Sequence, residues 1–501
     1  MSYKDALSDL ERGGERSLTQ QLVDGIATAI ESGELEPDEK LPPTRELAEL
    51  AGVNHLTAVR AYRRLRELGL VSAHVGRGTF VRGAGRQPET GRVSDSIAWQ
   101  RYALPEYEPG YGDRVLADMH RQATARDLLP LSVGYPSARI FPVEAIEEAF
   151  EATLRERAGE ALQYSEVQGL AELAEQIAAL SAARDAPEDP ADILITNGAS
   201  QGLTLACRAI LRPGDVVACE DPTFPSVIRA VQETGARIVG VPVDEHGLDT
   251  DALAALLARE EIKALAIQSR LHNPTGRDLV PARREALLAL ARRHGFFILE
   301  DGVYAELRFD GEHVRSLRAQ APAHVVYVDS LSKTVSAGLR IGWVAASGPV
   351  LDRIIAAKRA DDIHSPTVIQ LAVAGFLASG AYPAQAERAR SHYRRGYDAL
   401  REAIDEHLAP IASFVPPLGG GHVWVTLDPA LDERELVEEA VRHGVSYAPG
   451  GAMRVERRPE LSLRLSFGYL EPDALVEGVR RLAAAAAELR RRPPRRQAMP
   501  L

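Results

Sequence analysis

From Ser17 onward, Leu18, Leu22, Ile26 and Ile30 recur at helical spacing and Gly33 follows as a stop, which predicts one amphipathic helix. Thr44 is placed to cap a second helix over "RELAELA", ended by Gly52, and Asn54 to cap a third over "HLTAVRAYRRLREL", ended by Gly69. The hairpin "LVSAHVGRGTFV" comes next. Residues 83–130 then lose the periodicity and are rich in Gly, Pro and charge, as a linker is. From Leu131 the pattern changes again: "DILITNG", "VVACED", "ALAIQS" and "FFILED" alternate with amphipathic stretches such as "ASQGLTLACRAIL" and "ARREALLALARRHG". Such alternation predicts a mostly parallel sheet with helices on both faces.

A chain of 501 residues exceeds what one core usually organises, so separate domains are expected: a winged helix over 17–82, the linker, an α/β domain over 131–485 and a basic, disordered tail over 486–501. Hydrophobic residues at 45% and charged residues at 26% exclude disorder throughout. Cys207 and Cys219, two cysteines in all, are too few for a disulfide framework or a cysteine zinc site and fit a reducing cytosol. No apolar signal core opens the chain and no run is long enough to cross a bilayer, so a cytoplasmic protein without a membrane partner is expected, with no metal.

Net charge of -12 argues against indiscriminate coating of nucleic acid, so any contact with it is local. Charge is indeed local: between residues 60 and 86, Arg60, Arg63, Arg64, Arg66, Arg77, Arg82 and Arg86 face one acid, Glu67. Two short helices separated by the "AGVN" turn form a helix-turn-helix, whose second helix enters a major groove N-terminus first. Gly76 and Gly78 allow a sharp hairpin and close approach of backbone to phosphate, with Arg77 at the tip. A protein-protein adaptor is the alternative use of such a module.

The stretch "LPPTRELAELAGVNHLTAVRAYRRLRELGLVSAHVGRGTFV" resembles the winged helix of the GntR family of bacterial regulators. The resemblance implies contacts to double-stranded promoter DNA from Thr44 and Arg45, from the recognition helix through Asn54, His55, Thr57, Arg60 and Arg63, and from the wing at Gly76, Arg77, Gly78 and Thr79. Family members usually carry a Ser-Arg pair where this chain has Asn54 and His55, which moves the expected contact toward Arg45 and Arg60.

In the α/β domain, ligands sit at the carboxyl ends of strands. Four such ends carry Ala199-Ser200-Gln201, Asn273, Asp301 with Tyr304, and Ser330 with Lys333. Singly, each has a plain reading as a turn, a cap or a surface amine; together they fit pyridoxal 5'-phosphate. Lys333 offers the amine for a Schiff base, and Asp301 an acid that keeps the pyridine nitrogen protonated. Tyr304 and Asn273 can bond the phenolic oxygen. Ser200 at a helix N-terminus, with Ser330 and Arg340, can hold the phosphate.

The set "YSEVQG", "NGASQG", "DPTFP", "HNPTG", "EDGVY", "SLSKTVSAGLRIGW" and "LRLSF" resembles the fold type I aminotransferases. This resemblance implies that Phe224 stacks on the cofactor ring, that Tyr164 reaches the phosphate of a partner subunit in a homodimer, and that Arg464 clamps a carboxylate. A GntR winged helix joined to such a domain, with a smaller C-terminal α/β part, looks like the MocR type of regulator, which senses a small amine, an amino acid or pyridoxal phosphate itself and reports to a promoter. A working aminotransferase carrying a DNA-binding appendage, and a dimerisation scaffold, are the other readings.

Overall fold

Ser17 starts the first helix by accepting a hydrogen bond at its hydroxyl from the Gln20 N–H, and α1 runs over Leu18–Glu31. The computed structural model describes residues 10, 17–36, 39–68, 70–74, 78–81, 121, 127–456, 458 and 460–491. Gly69, Gly76, Arg77, Arg82, Arg86, the greater part of 83–130 with Trp99 and Tyr102, and residues 492–501 lie outside them. The chain divides into two compact units, Met1–Tyr107 and Glu108–Leu501.

In the first unit α2 (Thr44–Leu50) and α3 (His55–Glu67) follow α1, and a sheet of order β1-β3-β2 joins Lys40–Leu41 (β1), Val71–His74 (β2) and Gly78–Val81 (β3), all antiparallel. Asn54 caps α3 as its sequence suggests, accepting from the Leu56 N–H at 2.9 Å. Thr44 does not cap α2. Pro43 occupies that position without a side-chain bond, and the Thr44 hydroxyl lies 3.1 Å from His55 Nε2. Leu22, Ile26, Leu47, Ala58, Leu65, Val71 and Val81 fill the core, so the three helices and the hairpin share one apolar centre.

The second unit is built on eight strands: Ile193–Thr196 (β4), Val216–Asp221 (β5), Arg237–Asp244 (β6), Gly247–Leu248 (β7), Ala264–Ile267 (β8), Phe297–Asp301 (β9), Val325–Ser330 (β10) and Gly342–Ala345 (β11). Their order is β4-β11-β10-β9-β8-β5-β6-β7. Pairing is parallel from β10 through β6; β11 runs antiparallel to both β10 and β4, and β7 antiparallel to β6. Alternation along β5 shows why the strands are continuously apolar: Val217 and Cys219 enter one core with α4 (Ala199–Ile210) and α5 (Pro225–Gln232), while Ala218 enters the other with α6 (Pro281–His294). Both cysteines are buried and free.

After α7 (Pro349–Asp361) and α8 (Tyr382–His407) comes a smaller antiparallel sheet, order β12-β13-β15-β14, from Ala412–Phe414 (β12), His422–Leu427 (β13), Ala448–Pro449 (β14) and Ser462–Ser466 (β15). Val423, Val425, Leu463 and Leu465 pack against α8 and α9 (Pro472–Arg491). Strand alternation therefore turns His422, Trp424, Arg464 and Ser466 to the opposite face. Two boundaries differ from the sequence reading. Leu129–Pro130 pairs with Val445–Ser446, so these residues belong to the sheet-bearing unit rather than a linker. Helix α9 continues to Arg491 with Ala486 and Leu489 buried, so no tail begins at 486. Among the described residues no single helix is long and apolar enough to cross a membrane.

Candidate functional site

Lys333 ends a short 3₁₀ turn, Leu331–Lys333, that leaves the carboxyl end of β10. Its ammonium donates to the Gly134 carbonyl at 2.8 Å and lies 5.4 Å from the centre of the Tyr304 ring. Burial, with the Arg464 guanidinium adding to it, pulls the Lys333 amine down to about 8, against the opposing pull of Asp301. Asp301 ends the neighbouring strand β9, two residues beyond the paired Leu299 and Val326. Burial pushes its carboxyl up to about 6, although the Val303 N–H, the Gln268 amide and the Lys333 charge all favour its ionised form. Gln268 Nε2 donates to Asp301 at 2.9 Å, and Gln268 Oε1 accepts from the Asn273 N–H at 2.7 Å. One amide thus ties the strand end of Asp301 to the turn of Asn273.

Arg464 enters from β15, on the inward face of the smaller sheet. It donates to Asn273 Oδ1 at 3.2 Å and to the Ser132 carbonyl at 2.8 Å, while its buried Nε has no hydrogen-bond partner among the described residues. Burial lowers the guanidinium to about 10. Tyr304 is buried, which raises its phenol, and its hydroxyl lies 2.9 Å from His422 Nε2. His422 Nδ1 lies 3.0 Å from Ser466 Oγ, and the imidazole stacks edge-on against Tyr304 with centroids 5.3 Å apart.

A second end of the site forms at α4. Its first N–H groups, on Ala199 and Ser200, point out of the helix without intrahelical acceptors. Arg340, held at φ 53, crosses in front of them and donates to the Asn197 carbonyl at 2.9 Å. Gly198, at φ 88, holds a backbone conformation that strains a side chain, and a Cβ there would displace Arg340, whose Nη2 it would meet at 2.5 Å. Ser330 accepts from the Ser332 N–H at 3.4 Å and sits at the same strand end. Gln201 turns its side chain away: its amide donates to Asp361 and Asp362, and its oxygen accepts from the Asn197 N–H. Asp362 in turn takes hydrogen bonds from Asn197 and from the buried Lys358.

Two residues stand apart from these clusters. Phe224 caps α5, its half-buried ring packed against the core around Leu203 and Val227. Tyr164 is 75% exposed, its ring edge-on to His364 at 5.5 Å. In the first unit Arg45, Asn54, His55, Arg60 and Arg63 are exposed, with Leu56 and Val59 beside them, while Thr44, Thr57 and Thr79 are half-buried and Gly78 opens β3.

The donor set is that of an anion cup at one end and a half-buried amine facing a carboxyl at the other. Pyridoxal phosphate matches both ends: helix N–H groups and Arg340 suit its phosphate, Lys333 its aldehyde and Asp301 its ring nitrogen. Residues 126–482 match the family described as aminotransferase class I and II. The chain belongs to that family. Its residues 18–81 match the bacterial regulatory proteins of the gntR family, so a GntR-type region is fused to an aminotransferase-like domain. The HTH-type transcriptional regulator TauR of Rhodobacter capsulatus is 30% identical over 491 residues, covering 95% of this chain and 98% of that protein. The aromatic-amino-acid aminotransferase 1 of Thermococcus litoralis is 30% identical over 397 residues, 76% of this chain and 95% of its own. Among solved structures, LysN of Thermus thermophilus, an alpha-aminoadipate aminotransferase complexed with N-(5'-phosphopyridoxyl)-L-leucine, superposes with a TM-score of 0.71 at 32% identity, covering 78% of this chain and 98% of its own. The cofactor of this chain is pyridoxal 5'-phosphate.

Sequence reasoning passed over Gln268, His422 and Ser466. Gln268 carried a usable signal, since it lies at the carboxyl end of β8 as Asp301 lies at that of β9. His422 and Ser466 gave none, because they meet only through the register of β13 on β15.

Proposed function

We propose that the chain is a MocR-type transcription regulator, in which the winged helix of residues 17–82 binds promoter DNA and the aminotransferase-like domain senses an amino compound. The observation that carries this reading is the coexistence, in one chain, of an arginine-bearing recognition helix and an amine-and-anion site, with TauR similar along nearly its full length. When bound, the cofactor supplies an aldehyde that condenses with a primary amine and a ring that draws electrons from it.

The chain's own residues then divide the work. Ala199, Ser200, Gln201, Ser330 and Arg340 hold the phosphate end, with Gln201 acting through Asn197. Asp301 holds a proton at the ring nitrogen; Tyr304 and Asn273 bond the phenolic oxygen; Phe224 lies along the ring. Lys333 would carry the aldehyde in the absence of a ligand, and the free Nε of Arg464 would meet the carboxylate of an incoming amino acid. Tyr164, exposed in one subunit, serves the partner's site in a homodimer. Arg45, Arg60 and Arg63 face the DNA. A ligand shifts DNA affinity only through a difference in its affinity for two conformations, and reversing a 1:99 population takes about 5.5 kcal/mol.

The test adds amino acids and amines to the purified, cofactor-loaded chain while recording the cofactor absorbance and the binding of its own upstream DNA. A lasting spectral change with altered DNA affinity is expected. Many turnovers with an oxo acid and unchanged DNA binding would overturn the sensor in favour of a working aminotransferase. That second reading is favoured by one observation: a lysine amine lowered to about 8 is suited to moving protons near neutrality.

A further inference from the structure

Three buried groups, Ser466, His422 and Tyr304, form a single row that ends beside Lys333. Ser466 and His422 are direct partners in the antiparallel pairing of β13 with β15, so their side chains share the face turned toward the larger sheet. Ser466 Oγ lies 3.0 Å from Nδ1, and Nε2 lies 2.9 Å from the Tyr304 hydroxyl. All three residues are less than 5% exposed. Gly134 closes the row from the side. A Cβ there would meet His422 Cε1 at 3.0 Å, and the carbonyl of the same residue holds Lys333 Nζ.

Proton counting settles the direction. His422 is neutral at ordinary pH, because burial and the nearby charges of Arg464 and Lys333 drive its proton affinity far down. A neutral imidazole carries one N–H and one lone pair. Ser466, His422 and Tyr304 therefore hold three protons for two hydrogen bonds, and one proton must point out of the row at one end. Ser466 Oγ has no second partner among the described residues, so a proton leaving at that end would be buried without an acceptor. At the Tyr304 end it points toward the cofactor pocket. The low-cost arrangement has Ser466 donating to Nδ1 and the Nε2–H donating to the Tyr304 oxygen.

From this geometry we infer that His422, set in its Nε2–H form by Ser466, is a positioning residue that makes Tyr304 an obligatory hydrogen-bond donor to the cofactor's phenolic oxygen. The inference rests on the proposed contact between Tyr304 and that oxygen. A donor on the phenolic oxygen stabilises its anionic form and so makes the protonated Lys333 linkage more acidic. Because hydrogen bonds in a chain polarise one another, the histidine strengthens that donor. The charged groups around the row, Arg464, Lys333 and Asp301, remain in place in every variant below.

The experiment titrates the absorbance of the cofactor-loaded full chain against pH. His422→Phe is expected to raise the midpoint of the linkage by about half a unit to one unit, the size set by one hydrogen bond, and Ser466→Ala to raise it by less. In a Tyr304→Phe background, whose own midpoint is raised, His422→Phe is expected to add nothing. An unmoved midpoint in Tyr304→Phe would sink the Tyr304 contact itself. A normal shift in Tyr304→Phe together with an unmoved His422→Phe, or equal histidine effects with and without the tyrosine hydroxyl, would overturn the present inference alone. Nitrogen-15 spectra of labelled histidine, with His422→Phe as the difference reference, read the tautomer directly; Nδ1–H in place of Nε2–H would also overturn it. Thermal melting of each variant separates loss of fold from loss of the donor.

Discussion

Arg340 donates to the Asn197 carbonyl at 2.9 Å across the open side of Gly198, which brings a fixed cation to the exposed start of a helix. The two features reinforce each other, since both the guanidinium and the helix N–H groups favour a negative ligand. Space for this depends on the adjoining strand. A Cβ on Gly342 would come within 2.6 Å of Gly198 C and 2.7 Å of Ala199 N, both backbone atoms.

Gly342→Ala is therefore expected to push the start of α4 out of line and weaken cofactor affinity at least tenfold, about 1.4 kcal/mol. Equilibrium titration of the cofactor-free protein measures it. Affinity unchanged from wild type would show that the cup tolerates a displaced helix.

Lys333→Ala is expected to abolish covalent retention of the cofactor. Borohydride reduction of the loaded wild-type chain should leave the chromophore attached through denaturation, and the variant should release all of it. Retained chromophore in the variant would place the linkage on another amine.

With the Lys333 amine lowered to about 8 rather than its ordinary 10.5, its neutral, nucleophilic form gains population as pH rises through 8. The rate at which the cofactor-free chain forms its linkage should rise between about pH 7 and 8.5 and then level. Stopped-flow absorbance tests this. A rate still climbing steeply at about pH 10 would mean that burial does not depress the amine.

Arg464→Met is expected to cut the affinity for an α-amino acid about thirtyfold, near 2 kcal/mol for a lost charge-assisted pair. Affinity for the matching amine without a carboxylate should be unchanged. Spectral titration of the two ligands gives the ratio. Equal losses for both would assign Arg464 a packing role.

Arg45→Ala is expected to weaken promoter binding and to reduce the slope of log affinity against log salt by about one, as loss of a single phosphate contact does. Fluorescence anisotropy at several salt concentrations reads both. An unchanged slope would remove Arg45 from the DNA backbone.

How much of this was visible in the chain depends on how far apart the cooperating residues lie. Lys333 and Arg340 belong to one short segment, and Asn273, Asp301 and Tyr304 follow strands whose apolar runs are unmistakable, so strand-end logic located them. The antiparallel placement of β11 between β4 and β10 was not legible, because four apolar residues carry no direction. The turn of Gln201 toward Asp362 was hidden for a related reason: a helix that starts at a cup predicts outward side chains, whereas a carboxylate anchored by buried Lys358 competes for the amide. Thr44 misled because a proline can hold the cap position of a helix without any side-chain bond, leaving the hydroxyl for His55.

Lys333 and Arg464 reach the pocket from different sheets, yet both come to rest on the same short segment, one on the carbonyl of Gly134 and the other on that of Ser132. A visitor that engages the amine strips this stretch of one donor, while a carboxylate met by the free Nε of Arg464 leaves the bond to Ser132 standing. Occupation of the amine would thus loosen the backbone past Leu131 at Gly134 while it stays pinned at Ser132.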